Sequence, residues 1–141
     1  MSSLATFLAL LSAVFAALVA IFGKIGLTKI DSTASTVVRS VIMTVFLVFI
    51  ALFDKKIFTN VSGFDKKAWL FITLSGIAGA LSWLSYFAAI KLGKTTAVVA
   101  LDKSSLIVVW LLAMLFLGET FKLTTFVGVL LMTAGVILTV L

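Results

Sequence analysis

The sequence predicts an all-α integral membrane domain, a bundle of five transmembrane helices. Of the 141 residues, 63% are hydrophobic and only 11% are charged, and the mean hydropathy is +1.35. Soluble domains are usually about 45–50% apolar and about a quarter charged, so this chain has too little polar surface to cover a water-soluble globule. Five apolar runs, separated by short polar connections, give the number of helices. These observations exclude a soluble enzyme, a nucleic-acid-binding module and a disordered tail.

The five predicted helices belong to one domain, and they cover residues 4–22, 33–53, 68–90, 95–117 and 122–141. Each run is close to the about 20 residues that cross a hydrocarbon core about 30 Å thick. No charged side chain precedes the first run, which predicts a retained helix rather than a signal peptide. The longest connection follows the second run and is predicted to be a loop, because Asn60, Ser62 and Gly63 favour turns. The last two connections are so short that the helices they join must be antiparallel neighbours.

Residue types that are missing narrow the chemistry further. The chain has no Cys and no His, which excludes thiolate and imidazole catalysis and zinc–Cys sites. We therefore expect no catalytic residue, no metal and no cofactor. The formal net charge is +6, but most lysines lie between apolar runs, where positive charge meets lipid headgroups. The expected partners are the lipid bilayer and a small-molecule substrate, and not nucleic acid.

The lysines of the connections are almost evenly divided between the two membrane faces. With side A defined as the face of the N-terminus, side A carries Lys55, Lys56, Lys66, Lys67 and Lys122, and side B carries Lys24, Lys29, Lys91 and Lys94. Membrane orientation follows the difference in positive charge, which here is a single lysine. One alternative is a fixed orientation set by finer details. The other is dual insertion, in which two opposed copies form an inverted repeat.

Three charged side chains lie inside the predicted spans: Arg39, Asp102 and Lys103. A charge at mid-span costs about 2.5–3.5 kcal/mol on insertion scales, so such residues usually face protein or a wet cavity and have a function. Arg39 and Asp102 are expected at one depth on the side B half, where an ion pair between them could simply hold two helices together. Because adjacent residues on a helix point about 100° apart, Lys103 is not expected to pair with Asp102. It would instead snorkel, face water or meet a ligand.

Two aromatic residues and one more lysine complete the predicted site. Trp83 and Tyr86 are three residues apart and share a helix face, where they could line a cavity or anchor the helix at the interface. Lys24 ends the first span on the same side B. The predicted substrate or proton pathway therefore consists of Arg39, Asp102, Lys103, Trp83, Tyr86 and Lys24. Its net positive charge favours an anionic or zwitterionic solute.

Several short stretches together carry a family resemblance: Leu-Gly-Glu at 117–119, Gly128, Gly135, and the residues at 82–87, 91–93, 102–104, 24–26 and 39. They resemble a single EamA domain of the drug/metabolite transporter superfamily, in its five-helix bacterial and archaeal subset. Ten-span members of that superfamily have two inverted EamA repeats, so the resemblance implies a dimer. The small multidrug resistance proteins of the same superfamily are a precedent for antiparallel pairing. Relatives often have a proline where this chain has Ala100, and its absence argues against a mechanism that needs a proline-broken helix there.

The predicted function is therefore secondary transport, most simply export, of a small anionic or zwitterionic metabolite across a prokaryotic plasma (inner) membrane. The transporter would act as a homodimer by alternating access, with one copy rocking against the other. The alternative is a non-transporting membrane subunit that pairs with or regulates another EamA-type chain. A membrane enzyme is disfavoured, because one acid inside the membrane without His or Cys offers little catalytic chemistry.

Overall fold

The computed structural model describes residues 2–53 and 56–141, apart from the side chain of Phe58. Within these residues the regular structure is entirely helical, with the order α1 (Ser3–Gly26), α2 (Ser32–Phe53), α3 (Lys56–Ser62), α4 (Lys66–Leu92), α5 (Thr95–Asp102), α6 (Ser105–Phe116) and α7 (Leu123–Val140). The segments long and apolar enough to cross a membrane are α1, α2, α4, the α5–α6 pair and α7. The predicted all-α, five-span fold is therefore confirmed.

Short polar side chains set where three of the spans begin. Asp31 Oδ1 accepts a hydrogen bond from the amide three residues further on, at 2.9 Å. Asp65 Oδ1 does the same at 2.7 Å, and Ser2 Oγ does so at 3.2 Å. Each cap satisfies an amide that has no acceptor within its own helix, which is why helices favour Asp and Ser at this position.

The predicted loop at 54–67 is wrong in part, because it contains helix α3. The turn-forming residues end this helix rather than prevent it. The amide of Gly63 donates to the carbonyl of Asn60 at 3.1 Å, and the amide of Phe64 donates to the carbonyl of Val61 at 3.2 Å. Lys55, one of the side A lysines, lies outside the described residues.

The fourth span is interrupted although the chain has no proline. Between α5 and α6, the amides of Lys103 and Ser104 donate to carbonyls three residues back instead of four, each at 3.0 Å. The Ser104 hydroxyl adds a hydrogen bond to the carbonyl of Leu101. Such tightening is a 3₁₀ turn, which a serine side chain can support without any proline. The discontinuity falls directly after Asp102.

The chain forms two compact units, and each is described by itself. The first consists of Met1–Lys24 and Leu92–Leu141; within it α5 packs against α7. The centre of the Trp110 ring lies 5.9 Å from that of Phe121 and 5.7 Å from that of Phe126. The second unit consists of Ile25–Lys91 and contains α2, α3 and nearly all of α4.

Large apolar side chains are exposed along all five spans; Phe46 of α2 is 61% exposed and Leu131 of α7 is 69% exposed. In water, apolar surface on this scale would cause association. In the hydrocarbon core of a bilayer it is the ordinary outer surface of a spanning helix, whose backbone polar groups are satisfied internally. The architecture is that of a multi-pass membrane protein.

Candidate functional site

Arg39 lies on the second turn of α2 and makes its closest contacts with aromatic rings of α4. Its Cζ atom is 3.1 Å from the centre of the Trp83 ring and 4.4 Å from the centre of the Phe87 ring. The negative face of an aromatic ring attracts a cation, and it does so more strongly where water is excluded. The structure therefore brings together two predicted site residues, Arg39 and Trp83, within the Ile25–Lys91 unit.

Two of the three guanidinium nitrogens of Arg39 lack a hydrogen-bond partner. Both Nε and Nη2 are buried, and among the described residues neither finds an acceptor. A buried donor without an acceptor costs about 1–3 kcal/mol, and more when the group is charged. The rings contact this side chain, but within the described part of the chain they leave Nε and Nη2 without an acceptor.

Phe87 belongs to this cluster, although the sequence analysis did not select it. It is only 2% exposed. Its ring centre lies 6.2 Å from that of Trp83 and 5.4 Å from that of Tyr86, both in edge-to-face geometry. The only sequence signal for Phe87 was weak: it follows Trp83 by four residues and so lies on the same helix face. Tyr86 also belongs to the cluster, since its ring contacts that of Phe87.

An open groove of about 380 Å³ runs along α2 and α4, and it is lined by Thr36, Val37, Ser40, Val41, Thr44, Val45, Ala80 and Leu84. Three of the lining residues carry hydroxyls at a spacing of four. Each hydroxyl donates to the carbonyl one turn earlier in α2, at 2.8–2.9 Å. Because these donors are already engaged, the groove walls are mostly apolar. Arg39 is not among the residues that line the groove.

Asp102 and Lys103 form an ion pair in the other unit, with 3.3 Å between Lys103 Nζ and Asp102 Oδ2. The expectation that these neighbours would not pair is therefore wrong. It assumed a regular helix, whereas α5 ends at Asp102 and the next two residues form the 3₁₀ turn. Both side chains are about half exposed, so either could still reach a solute.

The Lys24 side chain forms a hydrogen bond at the end of a helix. Its Nζ donates to the carbonyl of Gly93 at 2.9 Å, in the connection between α4 and α5. The last carbonyls of a helix and the turn that follows it lack amide donors, and a lysine satisfies one of them here. Arg39 and Asp102 fall in different units, so an ion pair between them stays a prediction, as does the pathway formed by all six residues.

The fold and the site define a class: a multi-pass helical membrane protein with charged groups inside its spans. The chain belongs to the EamA-like transporter family, whose model matches residues 3–141. It is 41% identical over 132 residues to a protein of Sinorhizobium sp. described as an uncharacterized transporter in the cobO 3′ region, a match that covers 94% of this chain and 93% of the relative. No solved structure matches the chain. The predicted family is confirmed, and the chain is a membrane transporter rather than an enzyme.

Proposed function

We propose that the chain is a secondary transporter that exports a small anionic or zwitterionic metabolite across the plasma membrane. The observation that carries the proposal is the Arg39 guanidinium. It lies inside a span against Trp83, and two of its buried nitrogens have no acceptor among the residues that the structure describes. A charge held inside a membrane segment is expensive and usually marks a solute or ion pathway.

The net positive charge inside the spans favours a substrate with a negatively charged group. Asp102 and Lys103 form an ion pair with each other and together carry no net charge. Arg39 then supplies one positive charge in excess. Binding a carboxylate or another anionic group there would neutralise this charge, whereas a lipophilic cation would be repelled.

A homodimer is the proposed assembly. Five spans amount to one EamA repeat, and transporters of this kind commonly place the binding site between two inverted repeats that rock against each other. The nearly equal numbers of lysines on sides A and B allow the second repeat to be an oppositely oriented copy of the same chain.

Counterflow in proteoliposomes tests the substrate class, since it needs no knowledge of the coupling ion. Vesicles loaded with one unlabelled solute would be given the same labelled solute, over a panel of anionic, zwitterionic, neutral and cationic metabolites. We expect accumulation of at least one anion or zwitterion, reduced at least tenfold by Arg39→Gln. Lys29→Gln is the matched control, because it removes a cation from the exposed α1–α2 connection. Accumulation of cations alone, or an unaffected Arg39→Gln protein, would contradict the proposal.

The orientation of the copies is tested by cysteine labelling, which the chain suits because it has no native cysteine. Single cysteines at Ser3 and Ser62 would be exposed to an impermeant maleimide in intact cells and again after lysis. Labelling of about half of each site before lysis is the result expected of an antiparallel homodimer. Complete labelling or complete protection would overturn the antiparallel arrangement and require either a parallel dimer or a separate partner chain.

A further inference from the structure

Arg39 is the only arginine in the sequence, and its surroundings restrict how it can bind a ligand. The rings of Trp83 and Phe87 lie 3.1 Å and 4.4 Å from its Cζ atom. A guanidinium is planar, and its N–H groups point outward in that plane rather than toward the faces. The Trp83 ring, whose centre lies 3.1 Å from Cζ, therefore contacts a face of the group and holds it in position without using its N–H groups.

The two buried nitrogens without an acceptor in residues 2–53 and 56–141 are Nε and Nη2. These two belong to the same side of the guanidinium, because by naming convention Nη2 is the terminal nitrogen trans to Cδ. Their N–H bonds run nearly parallel and form the side-on fork that matches the two oxygens of a carboxylate. The two nitrogens that lack an acceptor among the described residues thus form one bidentate edge of the group.

The contacts of Arg39 favour a monoanion as the ligand of this edge. Two aromatic rings pack against the guanidinium, and an ion taken out of water into such surroundings must be neutralised by its partner. A singly charged carboxylate is neutralised by one guanidinium. A dianionic phosphate would bring a second charge that this one guanidinium leaves uncompensated.

We propose that the Nε–Nη2 edge of Arg39 binds the carboxylate of the transported solute in a bidentate manner, while Trp83 fixes the plane of the guanidinium. The inference rests on the proposed function, because it assigns the ligand group of the same site. It goes further in one respect: it makes the shape of the guanidinium, and not only its charge, responsible for selection. A lysine at position 39 would keep the charge and lose the fork.

Nuclear magnetic resonance provides a direct test, since a single arginine gives a single Nε–H cross-peak. The protein, labelled with ¹⁵N-arginine in detergent micelles at about pH 6, would be titrated with sodium acetate as a minimal carboxylate. Sodium chloride at matched ionic strength supplies a spherical anion, and acetamide supplies a neutral molecule of the same shape. We expect a saturable downfield shift of the Nε proton with acetate alone. A response to acetate no larger than that to chloride would overturn the proposal.

An Nε proton that is already far downfield and unresponsive to acetate would also overturn it, because the protein itself would then supply the acceptor. Trp83→Leu should weaken the apparent affinity for acetate about tenfold, since the plane of the guanidinium is no longer fixed. Trp110→Leu is the matched control, because Trp110 packs with Phe121 and Phe126, and it should leave the titration unchanged. Equal effects of the two substitutions would count against the role of Trp83.

Counterflow with Arg39→Lys separates this inference from the proposed function. Loss of at least nine-tenths of the transport, with a normal yield of folded protein, supports bidentate binding by the Nε–Nη2 edge. Full transport by Arg39→Lys, together with loss in Arg39→Gln, would overturn the bidentate site and leave an anion transporter that depends on charge alone. Absence of transport in the wild-type protein, with a saturable acetate shift, would instead contradict the proposed function and leave the binding edge in place.

Discussion

Replacing Arg39 with Met is expected to stabilise the folded protein while it abolishes transport. The guanidinium buries Nε and Nη2 without acceptors, at a cost of about 1–3 kcal/mol for each donor. The contact with the Trp83 ring, at 3.1 Å, offsets about 1–2 kcal/mol of this cost, because both side chains are partly buried. Met removes both contributions, and it fills a similar volume with an unbranched apolar chain. The expected net gain is about 2 kcal/mol, or roughly thirtyfold in the folding equilibrium constant.

The free energy of unfolding would be measured by titration with sodium dodecyl sulfate in dodecyl maltoside micelles, without added solute. Lys103→Met is the matched control, because it also replaces a cation inside a span, but one that has an ion-pair partner and a side chain 52% exposed. Its effect should stay within about 0.5 kcal/mol. Destabilisation of Arg39→Met by more than about 1 kcal/mol would refute the reasoning, since it would mean that the folded chain satisfies the guanidinium.

Three further predictions use the same unfolding titration. In a double-mutant cycle of Arg39→Met and Trp83→Leu, the coupling free energy should be about 1–2 kcal/mol, and a value near zero would mean that the ring contact contributes nothing. Gly118→Ala should lower the free energy of unfolding by about 1 kcal/mol, because Gly118 has a φ of 67°. Gly128→Ala should not lower it, because Gly128 is helical and no described atom lies within 4 Å of the added Cβ. Equal losses of stability in the two variants would contradict the argument. Lys24→Met should cost about 1–2 kcal/mol by leaving a carbonyl without its donor, whereas Lys24→Arg should retain most of the stability.

Hydropathy predicted the spans well because the thickness of the bilayer fixes their length. Their ends were less predictable. Helix α1 runs to Gly26, four residues past the predicted limit, because neither Gly23 nor Lys24 stops a helix whose end Lys24 itself helps to fasten. Helix α3 was missed because seven mixed residues with Asn60 and Ser62 carry no apolar run. Local side-chain bonding, which hydropathy does not register, decides such details.

The residues of the site were predicted only in part, because their contacts also depend on local backbone geometry. A charge inside a span is visible in sequence, so Arg39, Asp102 and Lys103 could be selected directly. Their partners depend on backbone geometry that the sequence hides. The spacing of adjacent residues on a regular helix predicted that Asp102 and Lys103 do not pair. That argument does not apply here, because Lys103 and Ser104 form a 3₁₀ turn. Phe87 was visible only as the fourth residue after Trp83, a spacing too common in apolar helices to mark a site.

The most direct test of the account is untargeted efflux from proteoliposomes. Vesicles containing the wild-type protein, the Arg39→Gln protein or no protein would be loaded with a bacterial metabolite extract, diluted into buffer and sampled over time by mass spectrometry. The account predicts that one or a few carboxylic or amino acids leave the wild-type vesicles and are retained by both others. Retention of every metabolite by the wild-type vesicles, or equal loss from the Arg39→Gln vesicles, would contradict it.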